Sequence, residues 1–327
     1  MIHVSQVSKW YGAHAALRGV SFEAPAGEVV GLLGPNGAGK TTTLRIITGF
    51  LAPSAGSVRV CGHDTVDQSL AARRCLGYLP EAAPLYPEMS VRGYLHFRGR
   101  LMSLRRGPRR AAVGRALARC DVADVAHRRI GQLSKGYRQR VGIAAALLHD
   151  PAVIVLDEPS SGLDPAQIRQ MRGLMRELAQ THCVLVSSHV LPEVEQTCDR
   201  VVIITRGRVR AEGSPAGLIE RVRHAAPYVV EARGEAPERV LRAVPGAARV
   251  AAEPAAPDGW QRLRLFAAPG AGDLREAIAR TAAAAGLAVR ELARPAPGLE
   301  QLFLSLLETD DDPGTGPAPA ADAGGAA

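Results

Sequence analysis

Short, uniformly apolar runs that end in glycine, acid or imidazole set the pattern of the first two hundred residues. The chain starts with an alternation in which Ile2, Val4 and Val7 are apolar and His3, Ser5 and Gln6 polar, the period of a half-buried strand. Val29, Val30, Leu32 and Leu33 then form a nearly continuous apolar run, followed much later by residues 153–156 and 183–186. Runs of this length, rich in β-branched side chains, predict strands buried on both faces, as in a parallel sheet. Each of the three ends in chemistry. The first runs into Gly34, the second into Asp157 and Glu158, and the third through Ser187 and Ser188 into His189. Open parallel sheets bind ligands at the carboxyl ends of their strands, so three such tips predict one site.

Residues 34–42 supply the anion-binding part of that site. Gly34, Pro35, Asn36, Gly37, Ala38, Gly39, Lys40, Thr41 and Thr42 spell Gly-x-x-x-x-Gly-Lys-Thr, with a helical pattern over 41–47. The glycines let successive backbone N–H groups curl around phosphate oxygens, and the helix N-terminus adds partial positive charge. Lys40 is expected to reach the outer phosphates and the Thr41 hydroxyl to take a Mg²⁺ position, which predicts binding of ATP or GTP. An acid pair and an imidazole on neighbouring strand tips complete what nucleotide hydrolysis needs. Other histidines, at 14, 127 and 149, read as structural.

Residues 133–140, Leu-Ser-Lys-Gly-Tyr-Arg-Gln-Arg, stand in a loop entering a helix just before the acid-tipped strand. With Tyr11, the phosphate loop, residues 78–81 (Tyr-Leu-Pro-Glu), Asp157-Glu158, residues 161–164 (Ser-Gly-Leu-Asp) and His189, they form seven ordered elements. In this set the chain resembles the ABC transporter ATPase superfamily, whose usual Leu-Ser-Gly-Gly-Gln is altered here by Lys135 and Tyr137. It is most similar to ABC-2 type exporter ATPases of the gliding-motility and nitrous-oxide-maturation kind. The resemblance implies an α/β P-loop fold: a RecA-like core with an antiparallel β subdomain and a helical lobe at about 84–150. It also implies a head-to-tail dimer, expected to be a homodimer, that sandwiches ATP with Mg²⁺. Tyr11 would stack on adenine, Asp157 would hold Mg²⁺ through water, Glu158 would deprotonate the attacking water and His189 would fix the γ-phosphate. Ser134 and Gly136 would reach that phosphate from the second ATPase subunit, and an integral membrane permease subunit would take up the motion. Glu81 stands where the superfamily usually has Gln; a carboxylate there is a harder metal ligand and adds negative charge beside the phosphate.

Composition narrows the setting. The 327 residues suggest about two domains, and no run approaches the ~18 apolar residues of a membrane helix. The N-terminus lacks the blocks of a signal peptide, so a cytoplasmic protein, peripheral on the membrane, is expected. The five cysteines at 61, 75, 120, 183 and 198 form no C-x-x-C pair and are expected to be reduced. The formal charge of +8 is carried almost wholly by arginine, with lysine only at 9, 40 and 135. The denser cluster of Arg98, Arg100, Arg105, Arg106, Arg109 and Arg110 lacks interleaved aromatics beyond Phe97, so no nucleic acid partner is expected. Tyr86 and residues 89–95 are candidates for docking a partner or for packing the lobe.

The chain divides near 222 in this reading, with residues 1–222 holding every motif. Beyond it, strands at 228–231, 248–252, 260–266 and 288–292 and helices at 237–244 and 273–285 predict β-α-β-β-α-β, a small α+β domain of the ferredoxin-like kind. An amphipathic helix at 299–307 is grouped with that accessory domain, 223–308, and the Ala, Gly, Pro and Asp-rich 309–327 is expected to be a disordered tail. Two other classes compete with transport. An ABC ATPase acting on DNA or the ribosome would typically carry two cassettes or a long coiled coil, and the chain has one phosphate loop and too few residues between Lys40 and Ser134 for such an insertion. A module that binds ATP without turnover would not need both Glu158 and His189.

Overall fold

A six-stranded sheet organises the chain. Its order is Arg208–Gly213, Arg200–Thr205, Val29–Leu33, Cys183–Ser188, Val153–Asp157 and Leu76–Leu79, parallel except for the antiparallel first strand. The computed structural model describes residues 1–223, 227–254, 256–294 and 298–308; the expected tail at 309–327 lies outside the described residues. Every residue of Val29–Leu33, Val153–Asp157 and Cys183–Ser188 is buried, which is why their sequences carry no polar alternation. Fully burying one Val, Leu or Ile side chain contributes about 1.5–3 kcal/mol, so the register of these strands is strongly fixed. That register sets Leu79 beside Leu156 and Asp157 beside Ser187, bringing the functional tips level.

An antiparallel sheet of His14–Ala24, Ile2–Tyr11, Ala55–Val60 and His63–Asp64 packs on one side. Ile2, Val4, Leu17 and Phe22 share a core with Leu44 and Ile47 of the Lys40–Ile47 helix. This packing places Tyr11, at the hairpin tip, beside the loop that precedes the helix.

The expected helical lobe is present as helices Val91–Leu101, Arg106–Arg119 and Lys135–Ala146, joined through a 3-10 turn at Ile130–Gln132. Ser90 and Ser134 cap the first and third by accepting from Gly93 N and Tyr137 N. Of the docking candidates at 86 and 89–95, Val91, Tyr94 and Leu95 are fully buried and pack the lobe itself. Tyr86 remains half exposed, edge-on to Tyr94 and Phe97.

Beyond residue 227 the strands and helices follow in the expected β-α-β-β-α-β order. The sheet runs Ala247–Ala252, Gln261–Ala267, Tyr228–Arg233, Ala288–Ala293, wholly antiparallel. Helices Pro237–Arg242 and Arg275–Ala284 add Leu241 and Ile278 to a separate core around Tyr228, Val230, Leu263 and Leu265.

The helix Leu299–Glu308 does not join that core. Leu299 and Leu302 are buried in the core shared by the helical lobe and the central sheet, and Leu299 N donates to Glu195 of helix Leu191–Thr197. An apolar stripe shows that a helix has a partner but not which one, and grouping the helix with 223–308 left its surface open. Leu299→Ala is expected to lower the stability of the first 223 residues by about 2–5 kcal/mol, read as a shift of their unfolding midpoint in urea. An unmoved midpoint would mean that the helix contributes nothing to that core.

Candidate nucleotide site

The phosphate loop is threaded through space that side chains would fill. At Gly34 a Cβ would lie 2.3 Å from Ile204 O, and at Gly39 it would lie 2.6 Å from Leu17 Cδ2 with φ at +107°. Glycine is therefore required at both positions by close approach, and at Gly39 by the left-handed backbone as well. The loop is pinned behind by Gly207 N donating to Ala38 O at 3.0 Å.

Lys40 opens the helix and is only 7% exposed. Its Nζ donates to Gly34 O at 2.8 Å and lies 3.7 Å from Glu158 Oε1. A buried ammonium is costly unless paired and hydrogen-bonded, and here it has both. Glu158 is held at a second point, with Oε2 2.8 Å from His189 Nδ1. With the carboxylate as acceptor, Nδ1 carries the proton and a neutral ring keeps Nε2 as an acceptor. Glu158 has a left-handed backbone, φ +49°, a conformation that costs a non-glycine residue about 1–3 kcal/mol. What holds it is Ser187. The Glu158 N–H donates to Ser187 Oγ at 2.9 Å, and the same hydroxyl donates to Asp157 Oδ1 at 2.6 Å.

Asp157 feels this crowding directly. Burial pushes its carboxyl above the usual range, and the charges of Glu158 and Glu81 push the same way, opposed by the Ser187 hydrogen bond and the Lys40 charge. Two buried carboxylates, Asp157 and Glu158, against the one buried ammonium of Lys40 leave local negative charge that a divalent cation would relieve. Thr41, Asp157 and Glu81 line one cavity of about 870 Å³, which is continuous in its lining with a second of about 390 Å³ bounded by Tyr11, Lys40, Thr41, Glu81, Glu158 and His189. Among the described residues no three His, Cys, Asp or Glu side chains are poised to hold a metal by themselves. A hydroxyl and a few carboxylates beside a phosphate cradle suit Mg²⁺, which keeps water and phosphate oxygens among its ligands.

The structure brings together Tyr11, Pro35, Asn36, Gly37, Gly39, Lys40, Thr41 and Thr42 with Glu81, Glu158 and His189 around the smaller cavity. It does not bring Ser134 and Gly136 there. Ser134 is exposed at its helix N-terminus, and a Cβ on Gly136 would meet Gln167 at 2.8 Å. The two residues that alter the signature have local contacts: Tyr137 Oη donates to Asp124 Oδ2 at 2.9 Å, and Lys135 packs over Gly162. Two residues of the site were not singled out as functional in the sequence. His14, read as structural, lines the smaller cavity, because it pairs with Tyr11 across the hairpin. Ser187 is the hydroxyl that links both acids, and only the strand register reveals it.

Ser187→Ala removes both of its bonds while leaving Lys40 and Glu158 in place. The expected outcome is a loss of about 1–3 kcal/mol in stability and a tenfold or greater fall in nucleotide hydrolysis, measured by urea unfolding and phosphate release. Unchanged turnover would show that Glu158 does not depend on this support.

Residues 17–161 match the family model described as ABC transporter. The uncharacterized ABC transporter ATP-binding protein YxlF of Bacillus subtilis is 41% identical over 213 residues, 65% of this chain and 70% of that protein. Nod factor export ATP-binding protein I of Burkholderia orbicola is 40% identical over 224 residues, 67% of this chain and 72% of its own length. Among solved structures, the dimeric structure of a bacterial ABC transporter cassette superposes with a TM-score of 0.59 at 28% identity, covering 65% of this chain and 98% of that one. Phosphate loop, paired acids and imidazole on adjacent strand tips agree with those likenesses, and the chain belongs to the ABC transporter family as an ATP-binding, ATP-hydrolysing subunit.

Proposed function

We propose that this chain powers an ABC-2 type exporter as one of two identical ATPase subunits, peripheral on the cytoplasmic face of a membrane beneath a separate integral permease. The observation that carries this reading is the position of Glu158, clamped between Lys40 and His189 at the phosphate loop while Ser134 stands exposed outside that cavity. A site that holds base, ammonium and imidazole but not the signature serine is completed by a second subunit presenting Ser134 and Gly136. The dimeric cassette among the structural neighbours supports that arrangement, and the export named for the Burkholderia relative supports the direction. No helix among the described residues is long and apolar enough to cross a membrane, in keeping with a separate permease. Nucleic acid has no place in this reading. Residues 1–222 are the ATPase domain, and 223–308 an accessory domain whose last helix docks back on the first.

In this mechanism Tyr11, half exposed at the hairpin tip, stacks on adenine, and Lys40 leaves the loop carbonyls to meet the outer phosphates. Thr41, Asp157 and Glu81 would hold Mg²⁺, which neutralises phosphate charge when bound. Glu158 takes the proton of the attacking water, an act that its contact with Lys40 and its hydrogen bond to His189 position it for. His189, anchored through Nδ1, keeps Nε2 for the γ-phosphate side. Closure of the dimer on ATP and opening after hydrolysis move the permease.

Glu158→Gln keeps the shape and loses the base. It is expected to bind ATP, to lose about 10²–10⁴ in hydrolysis rate, and to elute as a dimer in ATP on size exclusion. A variant that turns over at the parent's rate would place the base elsewhere. Glu81→Gln removes one carboxylate from the crowded site. Its binding of fluorescent ATP in EDTA is expected to exceed the parent's, and its half-maximal Mg²⁺ for hydrolysis to rise. Superimposable metal titrations of the two proteins would rule out contact between Glu81 and the metal.

A further inference from the structure

Three sulphur atoms meet at the amino ends of the central strands, at the far end of the sheet from the nucleotide. Cys61 follows strand Ala55–Val60, and Cys75 closes helix Ser69–Arg74 where the chain enters strand Leu76–Leu79. The Sγ of Cys61 lies 3.6 Å from the Sδ of Met1. Its thiol is also within hydrogen-bonding reach of the Cys75 thiol, which itself donates to Ala71 O at 3.5 Å. Strand pairing brings the first two together: Ile2 is paired with Val60, and beside that pair Cys61 N donates to Met1 O at 2.8 Å. Cys61 holds a left-handed backbone, φ +51°, of the kind that collects at ligand clamps. Both thiols are free and half-buried against the core beneath the antiparallel sheet, whereas Cys120, Cys183 and Cys198 are buried. Nothing in the nucleotide mechanism uses this cluster. A disulfide is the less fitting use of it. Burial, and then the neighbouring Cys75, push the Cys61 thiol up to about 11, which makes it a poor nucleophile, and a disulfide would give the Met1 sulphur no part.

We propose that Met1, Cys61 and Cys75 form a site for a soft monovalent cation, copper(I) or silver(I), held by two thiolates and one thioether. Ligand chemistry makes the selection. Thiolate and thioether sulphur prefer soft ions, while Mg²⁺ and Ca²⁺ take oxygen. Zinc closes a structural site with four ligands, and among the described residues no third His, Cys, Asp or Glu joins the two cysteines. Spacing agrees as well: metal–thiolate bonds of about 2.3 Å set ligand sulphurs roughly 4 Å apart, close to the separation of Met1 and Cys61. On binding, the two thiols release their protons to solvent, so two thiolates and one cation leave a single net negative charge. The N-terminal ammonium, whose charge reaches both Cys61 and Cys183, stands near enough to balance it. A cation held there ties the start of the chain and the turn after Ala55–Val60 to the helix that leads into Leu76–Leu79, joining the antiparallel sheet to the edge of the central one. This site is independent of the exporter reading.

The test titrates the whole chain, kept reduced, with copper(I) against a chromophoric copper(I) chelator. The parent is expected to take one equivalent from the chelator, and X-ray absorption at the copper edge to show three sulphur neighbours. Cys61→Ser and Cys75→Ser are each expected to lose that equivalent, and Cys120→Ala, a thiol buried in the other core, to keep it. Both serine positions are half-buried, and binding of fluorescent ATP at the far end of the sheet, equal to the parent's, shows that the variants are folded. Protein grown with norleucine in place of methionine is expected to show two sulphur neighbours and weaker binding. Zn²⁺ at equimolar concentration, followed with a zinc indicator, is expected to stay in solution. Retention of copper(I) by either serine variant, two sulphur neighbours in the parent, or equal uptake of Zn²⁺ overturns the proposal. So does a parent that surrenders all of its copper(I) to the chelator; a Cys61–Cys75 disulfide formed under diamide in that protein would make the pair a redox couple instead.

Discussion

The ammonium of Lys40 is the charge on which the strand tips depend. It sits almost wholly buried against Glu158 and the carbonyl of Gly34, next to the buried Asp157 and with the exposed Glu81 lining the same cavity. Without it, the buried Asp157 and Glu158 carboxylates would lose an ammonium that opposes their charges. Buried ion pairs contribute little to stability on their own, which favours the role in hydrolysis proposed for this one.

The sheet makes that concentration of charge feasible. Parallel strands buried on both faces fix register, and register sets Ser187 opposite Asp157, where one hydroxyl both donates to Asp157 and receives the Glu158 N–H. Those two bonds offset the left-handed backbone of Glu158, which turns its carboxylate toward Lys40 and His189. The strand Leu76–Leu79 brings Glu81 to the same level from the far edge, and there its loop also forms part of the cleft facing the helical lobe.

Much of this was legible in the residue pattern, for identifiable physical reasons. A strand buried on both faces has to be apolar throughout, so Val153–Asp157 and Cys183–Ser188 announce themselves and their acidic or imidazole tips stand out. The phosphate loop is legible because its glycines are obligatory, as the 2.3 Å approach at Gly34 shows. The ferredoxin-like elements are legible as short apolar runs between turns, with alternation clearest in Gln261–Ala267. Contacts between distant segments left no such trace. Ser187 resembles any serine until register puts it beside Asp157, and Leu299–Glu308 shows an apolar stripe without naming Glu195 and the lobe as its partners. The same limit explains residues 89–95, whose apolar side chains suit an interface as well as an interior; the fold buries Val91, Tyr94 and Leu95. His14 reads as structural in the sequence because a hairpin, not a motif, carries it to the cavity.

That one competent site draws on two subunits is tested most directly by complementation. Lys40→Ala and Ser134→Glu each disable every site in their own dimers, the first at the phosphate cradle and the second at the opposing signature. Mixed after dissociation, half of the dimers are hybrids, and each hybrid retains one site with an intact Lys40 facing an intact Ser134. The expected result is ATP hydrolysis in the mixture at about a quarter of the parent's rate, from two inactive components, as two-fold symmetry dictates. A mixture that forms hybrid dimers yet is no more active than its components would contradict a site shared between subunits.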